Sequence, residues 1–371
     1  MASTQQQHVA PTYHAGDAPS EEKTSGDHSH HGFQRQHRAP GQLELGITEV
    51  LEGRNEVREV VPVAGLERSM LRIKVDAARP SWVGAAVGEF FGVWLYTFAG
   101  QIATATLVLT TVAGEPQGNL LTIGLAYSFG IAFALIVCAT ASGGIFHPGV
   151  LIAQVIFKGF PLKRVPLYLF FQLLGGFVSS LMVYAMFQSE MDAYHAGLLR
   201  LGAAANSRIF SPQGPAGIIA LFPPAGVPMR QSFAVEVFGD LFVGLVIAAC
   251  VDGSNPFVSP AQAPFAVGLS FGVAVWGLGS FGVSLNTARD LGARFACGAL
   301  YGRQCFQPAG YVASAALTNL LFTSVAFAIY MFCLSDSRRA PAGVALQQHA
   351  QAEHKHYLNA TRTHEELLEK K

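Results

Sequence analysis

Charge is what this chain lacks. Only 13% of its 371 residues are charged and 51% are hydrophobic, against about a quarter charged in an ordinary soluble domain. Most of those charges sit toward the two ends, so the middle is poorer still. Lys and Arg balance Asp and Glu at 24 each, which argues against a nucleic-acid partner. The five cysteines, at 138, 250, 297, 305 and 333, make no C-x-x-C pair and no zinc pattern. Cys138, Cys250 and Cys333 fall in or at the ends of apolar runs, where small buried thiols are expected. The apolar middle has no Ser/His/Asp set, phosphate-cradling loop or metal-ligand cluster. No enzyme activity, metal or cofactor is expected.

What is there is long apolar runs between two polar ends. Residues 1–80 hold Gln5, Gln6 and Gln7, the His28, His30 and His31 cluster, and much Ser, Gly and Pro. This composition predicts a disordered tail, with the histidines solvated rather than holding a metal. No basic region leads into an apolar run at the start, so a signal peptide is not expected. Residues 336–371 predict a second polar tail. Between them, apolar spans at about 82–110, 119–141, 165–188, 231–251, 261–281 and 308–333 can each cross roughly 30 Å of hydrocarbon. Two further segments, 147–157 and 287–296, are too short to cross and suit half-helices that enter and return. Three spans plus a half-helix occur twice, in about 81–190 and 230–335. An odd-numbered repeat must insert its halves with opposite topology. The fold class expected is all-α integral membrane: six transmembrane helices plus two re-entrant half-helices in an inverted repeat.

The short segments carry the polar signal. One reads Ser142-Gly143-Gly144-Ile145-Phe146-His147-Pro148-Gly149, the other Gly282-Val283-Ser284-Leu285-Asn286-Thr287-Ala288-Arg289-Asp290. Each places a side-chain hydrogen bonder where a Gly-containing loop turns into a short apolar stretch, so two positive helix ends can face one pore. Glu89 and Glu236 open the first and fourth spans in matching E-x-F-G contexts. A carboxylate in an apolar helix is costly, and these two are read as acceptors for loop N–H groups. Asp240, one turn beyond Glu236, has no counterpart and no assigned role. Arg68, Arg72, Lys74 and Arg79, then Lys158, Lys163 and Arg164, then Arg338 and Arg339 fall on one side if both termini are cytoplasmic. The connection of roughly 40 residues between the third and fourth spans is then extracellular. Cys297 and Cys305 share one side, where a disulfide is open to them.

Over about residues 80–335 the chain resembles the major intrinsic proteins, the aquaporins and aquaglyceroporins. Asn286-Thr287-Ala288-Arg289-Asp290-Leu291-Gly292 is similar to the family's second Asn-Pro-Ala motif in its glycerol-channel form, with Asp290 as the marker. Ser142-Gly143-Gly144-x-Phe146 resembles the approach to the first motif, and Gln172 matches a Q-x-x-G pattern in the third span. Two departures stand out. The first motif is His147-Pro148-Gly149, and the second has Thr287 where the family has Pro, followed by Ala288. The family's asparagines donate to a passing solute. Three readings of His147 compete: a neutral donor in place of Asn, a proton-sensitive gate, or a plug. Thr287 loses a residue pre-set for a first helical turn, and Gly149 is expected to loosen the meeting point.

The resemblance also implies a filter of four positions. Arg289 and Val283 match directly. The fifth-span position is Val275, or Ala274 under a different gap, and the second-span position is Tyr127, with Phe129 as the alternative. One aromatic ring, two small apolar residues and a fixed guanidinium imply a wide, amphipathic constriction. The function this implies is a passive channel for glycerol and water that excludes ions and protons. A homotetramer in membrane lipid, in the plasma membrane with both termini cytoplasmic, goes with it. A water or hydrogen peroxide channel gated around His147, and a non-conducting scaffold with recruiting tails, are the alternatives.

Overall fold

So apolar a chain must pair its backbone N–H and C=O groups internally, and helices do this segment by segment. The computed structural model describes residues 78–335, with 254 and 256 excepted, together with Leu71, Lys74 and Val75. The His28, His30 and His31 cluster and Arg68, Arg72, Arg338 and Arg339 lie outside the described residues. In chain order the helices are α1 (Ser81–Val112), α2 (Leu120–Ser142), α3 (Pro148–Lys158), α4 (Val165–Met186), α5 (Gln188–Leu199), α6 (Ala205–Ile209), α7 (Pro215–Ile219), α8 (Met229–Cys250), α9 (Ala263–Leu278), α10 (Thr287–Tyr301) and α11 (Ala309–Ile329). Six of them, α1, α2, α4, α8, α9 and α11, are long and apolar enough to cross a membrane, some with a short flanking turn. The described residues contain no strand. The protein is an integral membrane protein.

Local chemistry sets the ends of these elements. Asn119 caps α2 by accepting from the N–H groups of Leu121 and Thr122, while the Thr122 hydroxyl accepts from the Asn119 N–H. That reciprocal arrangement satisfies donors the first turn would leave orphaned. Gly143 ends the same helix in the left-handed region at φ 90°, and Gly159 ends α3 at φ 74°, a conformation glycine enters without steric cost. Proline stands in the first turn of α3, α4 and α9, where its missing N–H costs nothing.

The two halves interlock. Within the first, α1 packs on α2 and α4; within the second, α8 packs on α9 and α11. The halves meet along α2 and α9, and each lends its short helix to the other: α3 packs on α11, and α10 on α4. Both short helices lie inside the bundle, and α10 runs on to Tyr301, five residues beyond the expected end.

The connection between α4 and α8 differs from the open loop its Gly and Pro suggest. It folds into α5, α6 and α7, and Ile218, Ile219, Ala220 and Phe222 return to full or near-full burial. The Ile219 carbonyl accepts from Gln101 Nε2 at 2.7 Å, and the Leu221 carbonyl from Arg294 Nη2 at 2.8 Å. Cys297 and Cys305 are joined in a disulfide that packs against this returning segment. Cys138 and Cys250 are free and buried; Cys333, expected to be buried, is exposed in the last turn, Tyr330–Leu334, where no residue is buried.

Candidate functional site

The N-termini of α3 and α10 meet in the middle of the bundle, and each is held by a carboxylate and a tyrosine from its own half. In the first half Glu89 accepts from the N–H of Ile145 (3.2 Å) and of Phe146 (2.8 Å), and Gln172 Nε2 donates to the same carboxylate at 2.6 Å. In the second, Glu236 accepts from the N–H of Ser284 (2.6 Å) and of Leu285 (3.0 Å). Tyr168 donates its hydroxyl proton to the Ser142 carbonyl, and Tyr311 to that of Gly282. The residues just before the two caps, Phe146 and Leu285, both sit at positive φ, 49° and 57°. Bulky side chains there cost about 1–3 kcal/mol each. The carboxylates hold that conformation, and it turns each preceding carbonyl across the interface.

Those carbonyls are what the caps bind. His147 Nδ1 accepts from the N–H groups of Gly149 (3.0 Å) and Val150 (3.2 Å), which leaves the ring proton on Nε2, and Nε2–H donates to the Leu285 carbonyl. Asn286 Oδ1 accepts from the N–H groups of Ala288 (2.9 Å) and Arg289 (3.2 Å), while its Nδ2 donates to the Phe146 carbonyl at 3.0 Å. Each half-helix is thus capped by its own residue and tied to the other half by that residue's N–H. A ring so placed has no free donor for a solute. Its Nδ1, faced by two N–H groups, has no room for a second proton. His147 is a cap and a tie, which amends the reading of it as a replacement donor.

The substitutions at the motifs compensate one another. Thr287 supplies an N–H where proline would not, and the Asn319 side chain of α11 takes it: Oδ1 lies 3.3 Å from Thr287 N and 2.7 Å from its hydroxyl. Asn319 can stand there because α11 approaches α3 closely at Gly149. A Cβ on Gly149 would fall 2.2 Å from the Asn319 carbonyl oxygen. The expectation that Gly149 loosens the meeting point is therefore corrected: it is buried and tightly covered, and its missing methyl is what admits α11. Pro148 and Ala288 are buried in the first turns of their helices.

One cavity of about 660 Å³ runs from Thr111, Val112 and Leu120 at one end to Gln154 and Val251 at the other, past both caps. Tyr127, Val275, Val283 and Arg289 all line it. The two alternatives lie elsewhere: Ala274 packs in the core with Val235 and Val243, and Phe129 points to the outer surface. Arg289 donates from Nε (3.2 Å) and Nη2 (2.8 Å) to the Tyr127 hydroxyl. Its Nη1 is buried with no protein partner. Asp290 does not reach the cavity. It is fully buried and pairs at 2.7 Å with Arg294, which also donates to the carbonyls of Cys305 and Leu221. Asp240 is buried away from the cavity as well.

Sequence reading missed three contributors. Tyr96 lines the cavity beside Asn286; Asn319 accepts from Thr287 at the second cap; and Pro212, Gly217 and Phe222 bring the α4–α8 connection to one mouth of the cavity. The signal for the last was an apolar run, Ile218-Ile219-Ala220-Leu221-Phe222, set inside Gly and Pro.

A model of the major intrinsic protein family matches residues 76–335. The chain belongs to the major intrinsic protein family. An aquaporin of Laccaria bicolor is 35% identical over 260 residues, covering 70% of this chain and 84% of that one. Aquaporin-3 of the same organism is 33% identical over 298 residues, covering 78% and 88%. Aquaglyceroporin-2 of Rhizophagus irregularis is 33% identical over 207 residues, covering 56% of this chain and 62% of its own. The X-ray structure of the aquaglyceroporin from Plasmodium falciparum matches at a TM-score of 0.59 and 23% identity, over 68% of this chain and 97% of that one. At that identity the likeness speaks for the fold. The family is one of channels, not of enzymes.

Two outcomes follow from the caps. Gly149→Ala drives a methyl into a backbone carbonyl and is expected to cost about 1–3 kcal/mol, read as a lower thermal midpoint of the purified protein in detergent. An unchanged midpoint would mean that α11 yields freely. Because His147 Nδ1 is occupied, water permeability is expected to change less than about twofold between roughly pH 5.5 and 8, where an ordinary histidine titrates. A steep pH response abolished by His147→Asn would show that the ring does take up a proton.

Proposed function

We propose that this protein is a passive channel for water and small uncharged solutes, glycerol among them, that rejects ions and protons. The observation that carries it is the cavity threading both half-helix caps and the Tyr127–Arg289 pair. Val275, Val283 and the Tyr127 ring offer an apolar side on which a polyol's carbons can lie. Arg289 Nη1 offers a donor to its hydroxyls. The guanidinium and two positive helix ends raise the potential along the path and oppose cations. A fifth-span Val rather than a bulkier polar residue keeps the ring wide enough for carbon.

We further infer that both termini are cytoplasmic and that the plasma membrane is the site of residence. Lys74, Arg79, Lys158, Lys163 and Arg164 gather on one side. The Cys297–Cys305 disulfide, on the opposite side with the α4–α8 connection, suits an oxidising exterior. Assembly as a homotetramer rests on the family. It is compatible with the apolar outer face of α2, where Phe133, Ile136 and Val137 are exposed.

The test is stopped-flow light scattering on liposomes holding the purified protein, with glycerol as osmolyte. Fast shrinkage followed by reswelling at least about tenfold faster than in empty liposomes is expected, in keeping with the permeation of both water and glycerol. Fast shrinkage with slow reswelling would leave a water-selective pore. Neither phase above the empty control would sink the channel reading in favour of a scaffold.

A further inference from the structure

The caps use up the donors that would face the lumen at the channel's midpoint. The Asn286 amide is engaged on that side: Nδ2 donates to the Phe146 carbonyl at 3.0 Å and to the Tyr96 hydroxyl at 2.9 Å. The single ring proton of His147 is held by the Leu285 carbonyl. What remains is the Tyr96 O–H. Its nearest protein acceptor is the same Phe146 carbonyl, at a long 3.3 Å and already serving Asn286.

Tyr96 is set firmly in this place. It lies on α1 two turns beyond Glu89, which anchors the loop carrying Phe146. The backbone of α2 lies directly against it, for a Cβ on Gly130 would come within 2.9 Å of Tyr96 Cα. Its ring packs among buried apolar neighbours that include Ile131 and Leu135, and its side chain lines the cavity together with Phe146 and Val150. The second half offers no mirror image. The residue seven beyond Glu236 is Val243, wholly buried in apolar packing. So the paired design is broken here, and the break inserts a hydroxyl beside the midpoint.

We propose that the Tyr96 hydroxyl is an internal competitor for the solute at the midpoint and thereby a specificity-determining residue. Resting on the channel reading above, it holds the Asn286 amide proton that would otherwise point at the passing molecule. A solute meets one phenol O–H among apolar walls in place of an amide donor. Water, which needs one partner at a time, passes with little loss. A polyol has hydroxyls on successive carbons, must give up more of its hydration, and is slowed.

The experiment compares wild type, Tyr96→Phe and Tyr96→Leu in liposomes at matched protein content, with water and glycerol fluxes measured on the same preparations. Size-exclusion profile and thermal midpoint report folding, and the leucine variant serves if phenylalanine does not fold. Removing the hydroxyl frees the Asn286 amide. Glycerol flux should rise at least about threefold, the scale of one modest hydrogen bond, while water changes by less than about twofold, so the ratio of the two moves. A merely structural tyrosine would shift both fluxes together or neither. Wild type conducting with an unmoved ratio, or a folded variant with slower glycerol flux, overturns the competitor alone. A wild type silent to both solutes and made conductive by the substitution overturns it too, since water should already pass with little loss. If wild type and variants all match empty liposomes, the competitor falls, since freeing the amide opened nothing, and the channel reading falls with it.

Discussion

Two helix N-termini aimed at each other in the middle of a membrane is an unfavourable arrangement, and the rest of this structure answers it. Like partial charges face one another, first-turn N–H groups lack helical partners, and no bulk water is at hand. The answer is a pair of side chains that act in two directions. His147 and Asn286 each accept from their own helix and donate to the carbonyl that precedes the other's cap. For those carbonyls to point across, Phe146 and Leu285 must enter the left-handed region. For that conformation to persist, Glu89 and Glu236 must bind the loop N–H groups. The strained backbone, the buried acids and the caps form one unit, and no member of it explains itself alone.

That dependence explains why His at the first motif is compatible with the fold. An imidazole has one acceptor nitrogen and one donor nitrogen, and the junction asks one cap residue for an acceptor on its near side and a donor on its far side. Asn offers the same pair with one proton to spare. The histidine has none to spare. Replacing Pro by Thr at the second motif adds an N–H that must be matched in a dry interior, and Asn319 matches it. The close approach that delivers Asn319 depends on Gly149. Departures at two motifs far apart in sequence are thus linked through a third residue on α11.

Much of the architecture was legible in the residues. Six apolar spans, two segments too short to cross and a repeated E-x-F-G are signals of length and period, and helix ends fall within a few residues of where composition changes. Tyr127 and Val275 were reachable because a helix tolerates gaps poorly. The connection after α4 was not legible, because Gly and Pro read as loop while the apolar run inside them is buried only by tertiary contact. Gly149 was misread for a related reason: what a missing methyl does depends on what lies opposite, and Asn319 is far away in sequence. Tyr96 was hidden in plain view, as an aromatic residue in an apolar helix ordinarily belongs to the core.

Permeation is governed by what the framework leaves over. Along the lumen the structural bonds engage the His147 proton, the Asn286 amide and two of the Arg289 nitrogens. The surplus of side-chain donors is small. Arg289 Nη1 is free, the Tyr127 hydroxyl accepts twice from Arg289 and so keeps its own proton, and Tyr96 keeps a weakly engaged one. These donors lie among apolar walls, with no carboxylate of the site facing them: Asp290 is bound to Arg294, and the two glutamates to loop N–H groups. A path of sparse donors and two positive helix ends favours neutral molecules that carry oxygen lone pairs and disfavours cations, which would find neither their hydration shell nor a counter-charge. Selectivity is then a by-product of how the centre is held together. The residues best placed to tune it are those whose hydrogen bonds the framework can do without.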